Sequence, residues 1–153
     1  FKNLTFTLAL RPHYDNILDY NKFTGIDNIE IYEFPYKNNI TIKQLLGESL
    51  IAVLPFKNLS TNPQLAVLET MQAGVPLFTT NIESNSDLIK HFQTGFLYSL
   101  DEFNDISFIT AQISKVLCNP ELMSSIAELS NFYVNNNWSW NIEIKKLVEL
   151  YDK

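Results

Sequence analysis

A single cysteine, Cys118, is all the thiol chemistry this chain contains. It excludes an internal disulfide and any cysteine-based zinc cluster, and it fits a reducing compartment. Arginine is equally scarce: Arg11 is the only one, and 11 Lys+Arg against 17 Asp+Glu leave a formal charge of -6. Such a chain lacks the basic footprint that nucleic acid requires, so no nucleic-acid partner is expected. No apolar run approaches the roughly 20 residues of a membrane span, and no signal peptide is visible, so the expected location is cytoplasmic. The two histidines, His13 and His91, stand apart with no ligand spacing around them, and no metal site is expected. Ser60 and Ser84 lack a nearby histidine and read as turn or cap residues rather than nucleophiles. With no internal repeat and no low-complexity linker, residues 1–153 are expected to form one domain. The chain opens on Phe1 rather than methionine, as a piece of a longer protein would.

What is present is globular: 46% apolar and 18% charged residues over 153 positions. Apolar runs alternate with helical patterns. "LTFTLAL" (4–10) reads as a strand, and "YDNILDYNKF" spaces Ile17, Tyr20 and Phe23 along one helix face. "NIEIYEF" (28–34) alternates as a strand buried mainly on one side, and "TIKQLLGES" reads as a short helix. "LIAVLPF" (50–56) is continuously apolar, as a central parallel strand should be. A helix and the strand "PLFTTN" follow, then a helix in "SNSDLIKHF" and a strand in "TGFLYSL". His91 is expected to cap or end the helix before that last strand. From Asp105 onward three helical patterns succeed one another, with Pro120 in a first turn and Ser139 before the last helix. Trp138 and Trp140 read first as core packing of that helix, with sugar stacking as the other reading. The expected fold is α/β, a Rossmann-like open parallel sheet with flanking helices and a helical C-terminal tail. Binding in such sheets concentrates beyond the carboxyl ends of the strands, here Arg11 and Pro12, 33–36 and 56–63.

The stretch "NPQLAVLETMQAGVPLF" (62–78) carries one carboxylate, Glu69, in an otherwise almost apolar helix. Asn62 is a suitable N-cap, Pro63 a suitable first residue, and Gly74 suits the left-handed position after the helix. At roughly 100° per residue, Glu69 falls between Leu65 and Ala73, close to Ala66. A carboxylate among apolar neighbours requires partners if it is buried. Sugar hydroxyls would serve; so would a lysine, or water at the helix edge.

The region "TNPQLAVLETMQAGVPLFTTNIESNSDLIKHFQTGFLY" resembles the signature of the group 1 (family 4) retaining glycosyltransferases of GT-B fold. That family shows an acidic residue, a glycine-rich loop, "LEAMACGVPV", a variable segment and "NGFLV" in this order. The tail from "NPEL" through "NWSW" to "LY" is similar to the family's C-terminal helices. The upstream strands fit the same order, so the resemblance covers essentially the whole chain.

The resemblance implies the donor-side, C-terminal half of an enzyme that moves a sugar from a nucleotide diphosphate, such as UDP, to an acceptor. It implies retention of anomeric configuration, no metal or other cofactor, and a missing acceptor-side N-terminal domain in the same protein. The segment alone would then be inactive. Polysaccharide synthesis is the setting the family suggests. Glu69 takes the place of the family's ribose-binding glutamate, and Leu65, on the same helix, joins the implied nucleotide-sugar set. The family's other glutamate falls on Thr61, eight positions earlier, and its loop glycines fall on Asn62 and Gln64; all three are departures. The helix beginning at Pro63 would still favour a phosphate through its free N–H groups and dipole. Arg11 and Lys57 are the candidate phosphate partners, each also readable as a surface residue, the more common role. These departures weigh on catalysis more than on nucleotide binding, and keep open an inactive GT-B-like binding or scaffolding module. An unrelated flavodoxin-like domain is the third reading, and the helical tail argues against it.

Overall fold

The computed structural model describes residues 3–10, 23, 25–33, 40–58 and 63–151. The expected helix in "YDNILDYNKF", apart from its last residue Phe23, lies outside the described residues, as do Arg11, Pro12, His13, Ser60, Thr61 and Asn62. The chain divides into two units, Phe1–Glu48 and Ser49–Lys153.

In the first unit β1 (Phe6–Leu10) and β2 (Ile29–Glu33) pair in parallel, from Phe6 opposite Ile29 to Leu10 opposite Glu33. Asn28 ties the start of the pair, accepting at its carbonyl from the Phe6 N–H (2.8 Å) and donating its side-chain amide to the Leu4 carbonyl (2.8 Å). Helix α1 (Ile42–Gly47) follows, opened by a capping box between Thr41 and Gln44.

The second unit holds the core. Its parallel sheet runs β3 (Ala52–Leu54), β4 (Leu77–Thr80), β5 (Phe96–Tyr98). The inner strand of this sheet is therefore β4, not β3 as the continuous apolar run of "LIAVLPF" suggests. All four residues of β4 are buried, whereas Val53 in β3 is 42% exposed. Because successive strand residues face opposite sides, β4 anchors two clusters. Phe78 joins Phe96 and Tyr98 of β5 with Phe103, Ile109, Val116 and Ile126. Leu77 joins Val67, Met71, Leu88, Ile89 and Val134 on the other side.

Helices supply both covers. The first cluster takes residues from α4 (Leu100–Asn104), α5 (Ile106–Leu117) and α6 (Pro120–Asn137); the second takes them from α2 (Leu65–Gln72), α3 (Asn85–Leu88) and the end of α6. Pro120 opens α6 at its first turn behind the Asn119 cap, as expected. Asn131 of α6 donates its amide to the Gln72 carbonyl at the end of α2, satisfying a helix-terminal acceptor. The Rossmann-like α/β expectation is met.

Two local expectations are corrected. Helix α3 stops at Leu88 because Ile89 turns extended (φ -111°, ψ 126°), so His91 does not end it. Instead His91 bridges to Gly95, and its Nδ1 accepts from the Leu97 N–H at 3.0 Å. Trp140, at the start of α7 (Trp140–Tyr151), is 81% exposed and packs no core; Trp138 alone lies against the second cluster.

His91 gives a pH prediction. Its Nδ1 is an acceptor, so the neutral ring carries its proton on Nε2. Partial burial beside Phe92 (4.4 Å) and Tyr98 (5.1 Å) pushes its pKa below the usual histidine value, while the charge of Glu102 opposes the shift. The unfolded chain therefore binds the proton more readily. This contribution to stability is present above the unfolded pKa, about 6.5, and is lost as pH falls through the lower folded value. Urea midpoints are expected to decline from pH 7 to pH 5. The decline should be shallower in His91→Asn, whose carbonyl mimics Nδ1 but does not titrate. The ring is exposed, so the difference will be a small fraction of total stability.

Candidate donor-binding edge

Five residues of the sequence-predicted site are described: Lys57 beyond the carboxyl end of β3, Pro63 and Gln64 ahead of α2, and Leu65 and Glu69 on it. Beyond β3 the chain passes through Pro55 and Phe56 to Lys57, whose side chain is exposed. Two threonines of β4 hold this exit. Thr79 Oγ1 donates to the Leu54 carbonyl (2.7 Å), and Thr80 Oγ1 donates to the Phe56 carbonyl (2.6 Å). Sequence reasoning missed both, because a threonine pair at a strand end looks like solvent-facing polarity. Asn85, fully buried in the first turn of α3, donates its amide to the Thr80 carbonyl at 2.9 Å.

Helix α2 begins later than expected. Gln64 is extended (φ -71°, ψ 121°) and is the N-cap residue; its carbonyl accepts from Val67 N (3.1 Å) and Leu68 N (3.2 Å). Pro63 therefore precedes the helix and is not its first residue, and Asn62 is not the cap. The Gln64 side chain, itself buried, makes no capping hydrogen bond to this N-terminus. The helix ends as its sequence demands: Gly74, at φ 69°, adopts the left-handed conformation that only glycine takes without strain, and its N–H reaches the Met71 carbonyl at 3.0 Å.

The faces of α2 separate sharply. Val67, Thr70 and Met71 are buried, with the Thr70 hydroxyl turned back onto the Ala66 carbonyl at 2.7 Å. Leu65, Glu69 and Gln72 are exposed, and their spacing of four and three places them on one stripe. Glu69 thus faces water at the helix edge, one of the readings its sequence left open, and no desolvation cost applies to it. Among the described residues its carboxylate has neither a hydrogen bond nor an ion pair. Its carboxylate is open to solvent, with Leu65, 63% exposed, one turn before it.

Residues 24–130 match the family model of glycosyl transferases group 1. The chain belongs to that family. It is 37% identical over 125 residues to Glycosyltransferase 1 domain-containing protein 1 of Xenopus tropicalis, an alignment covering 80% of this chain and 33% of the relative. The chain thus spans about a third of that relative's length. Among solved structures, Anabaena Alr3699/HepE in complex with UDP superimposes with a TM-score of 0.75 at 15% identity, over 98% of this chain and 41% of that one. The C-terminal domain of the group 1 protein LpcC from Francisella tularensis gives 0.63 at 18% identity, over 78% and 58%. At these identities the likeness is one of fold: the group 1 chain has the Rossmann-like architecture of GT-B glycosyltransferases, as its sequence resemblance implies. Among the described residues no helix is long and apolar enough to cross a membrane.

Proposed function

We propose that residues 1–153 form one donor-binding domain of a longer, cytoplasmic glycosyltransferase that moves a sugar from a nucleotide diphosphate with retention. One observation carries the reading: the carboxylate of Glu69 is exposed on α2, without an internal partner among the described residues, at the position where the family resemblance implies ribose recognition. An accessible, uncommitted carboxylate can accept from two vicinal hydroxyls at once. Leu65, on the same stripe, offers apolar surface beside it. The start of α2, through its N–H groups and dipole, suits a phosphate beside Gln64, and Lys57 supplies a cation beyond the end of β3. Pro63 sets the approach to that helix, while Thr61, Asn62 and Arg11 complete the proposed set on sequence grounds. Catalysis would rest on positioning and on stabilising the departing diphosphate, in a cleft shared with an acceptor-side domain. Cys118, free and exposed, is compatible with the reducing cytoplasm.

The full-length protein is expected to bind UDP or GDP in calorimetry, and Glu69→Ala should weaken that binding about 10- to 100-fold, the loss of a hydrogen-bonded charged partner. Unchanged affinity in the variant would remove Glu69 from the site. The departure at Thr61 favours a second reading, a GT-B-like module that has lost its chemistry. Failure of the full-length protein to bind either nucleotide would support it.

A further inference from the structure

Resting on the donor-site reading, we infer that Thr80 is a positioning residue: its hydroxyl fixes the peptide from which Lys57 departs, and so sets where a donor phosphate meets a cation. The carbonyl it holds, that of Phe56, belongs to the Phe56–Lys57 peptide bond. A planar peptide whose oxygen is tied has its following N–Cα bond oriented as well. The tie is short (2.6 Å), and Thr80 is completely buried, so water does not compete for it. Neither residue is helical, and no ladder partner of β4 reaches as far as Phe56, since the register of β3 with β4 ends at Leu54 opposite Thr79. The side chain of Thr80 therefore does beyond the end of the ladder what backbone pairing does within it.

A second layer fixes Thr80 in turn. The Asn85 amide donates to the Thr80 carbonyl, which is the last of β4. Only the NH2 half of the side chain can face that carbonyl, so the orientation of the amide is decided by its partner. The cost lies on its other half. Among the described residues Asn85 Oδ1 is buried with no hydrogen-bond partner, as is the neighbouring Ser84 Oγ. An orphaned buried acceptor is a stability penalty, and it is borne here by the group that holds Thr80. The turn joining the two is also strained, with Glu83 in the left-handed region at φ 44°. Thr79, by contrast, ties Leu54 within the ladder and upstream of Lys57, which makes it the internal control.

The test uses the full-length protein and compares UDP (or GDP, if that is what the wild type binds) with the matching nucleoside, the latter measured by competition at millimolar concentration. Thr80→Val keeps the shape and removes the donor. It is expected to weaken the diphosphate roughly 3- to 10-fold, the equivalent of one ordinary hydrogen bond, and to leave the nucleoside unchanged. Thr80→Ser should restore diphosphate affinity, Thr79→Val should not reproduce the selective loss, and Thr80→Val in a Lys57→Ala background should add nothing. If the valine variant does not fold, Thr80→Ala carries the same expectation. Equal losses for nucleoside and diphosphate, additivity with Lys57→Ala, or a selective loss in Thr79→Val would each overturn the inference while leaving the donor-site reading intact. A wild type that binds no nucleotide diphosphate overturns both.

Discussion

Phe78→Ala is expected to cost about 3–5 kcal/mol, the upper range for deleting a buried aromatic ring. Phe78 has no exposure, and its ring stacks on Phe96 at 4.3 Å and 22° and lies 6.2 Å from Tyr98 at 14°. Ring area and stacking geometry are thus lost together. The cavity cannot close easily, because β4 is hydrogen-bonded to β3 on one side and β5 on the other, so its backbone cannot move inward. Against a typical total of about 5–15 kcal/mol, the loss is a third or more of the stability. Urea unfolding should show a lowered midpoint at unchanged slope. Phe132→Ala, on the 66% exposed face of α6, is the matched control and should change stability by no more than about 0.5 kcal/mol. Similar losses from both would mean that the core is not centred on β4.

The placement of Phe78 also shows what the sequence could and could not tell. Strand existence was legible from apolar runs and alternation, and helices α5 and α6 from periodicity, with Pro120 marking the first turn of α6. The rank of the strands was not. β4 reads as the more polar candidate because it ends in two threonines, and their acceptors, the Leu54 and Phe56 carbonyls, are more than twenty residues away in the chain. Helix α4 was legible and was overlooked. Ser99 and Glu102 form a capping box, with the carboxylate accepting from the Ser99 N–H (2.7 Å) and hydroxyl (2.9 Å), and S-x-x-E is its sequence signature. The same bonds hold the Glu102 carboxyl below its ordinary pKa.

Other misreadings share one cause: local preference names a suitable residue but not the backbone it receives. Pro63 is a good first helical residue, yet the extended conformation of Gln64 postpones α2 to Leu65. The apolar stripe of α7 predicts a buried face, but periodicity says only that a face seeks a partner. None of its described residues is buried, and Leu147 and Val148 are each about half exposed. For Glu69 the wheel gave the correct neighbours and left the depth open between a buried partner and water at the helix edge. Leu65 and Glu69 do share a stripe, but it is the solvent stripe, and that exposure is what makes the carboxylate available to a ligand.

The second large effect is expected at Asn85. Asn85→Asp should cost several kcal/mol near pH 7 and progressively less on acidification. The native amide donates to the Thr80 carbonyl at 2.9 Å and, at the long limit of 3.5 Å, to Thr79 Oγ1. An ionised aspartate would set oxygen against that carbonyl oxygen in a site with no solvent exposure. Both the burial and the carbonyl favour the protonated acid, which raises the folded-state pKa above the unfolded value of about 3.9. Stability linked to such a group is fully present below the unfolded pKa and is lost as pH rises through the folded one. The protonated acid also regains a donor, its O–H, that can face Thr80. The unpartnered oxygen of Asn85 stays an oxygen in the variant, so the comparison isolates the amide nitrogen. Asn85→Ala separates charge from hydrogen bonding: it should cost about 1–3 kcal/mol with no added pH dependence. Urea titrations at pH 5, 6, 7 and 8, each referred to wild type at the same pH, cancel the His91 contribution. A penalty for Asn85→Asp that is flat with pH, or no larger than that of alanine at pH 8, would show that the amide does not hold the end of β4. If it does, nucleotide diphosphate affinity of the full-length variant should recover along the same pH course, because the strand end that Asn85 secures is the one from which Thr80 reaches the Phe56–Lys57 peptide.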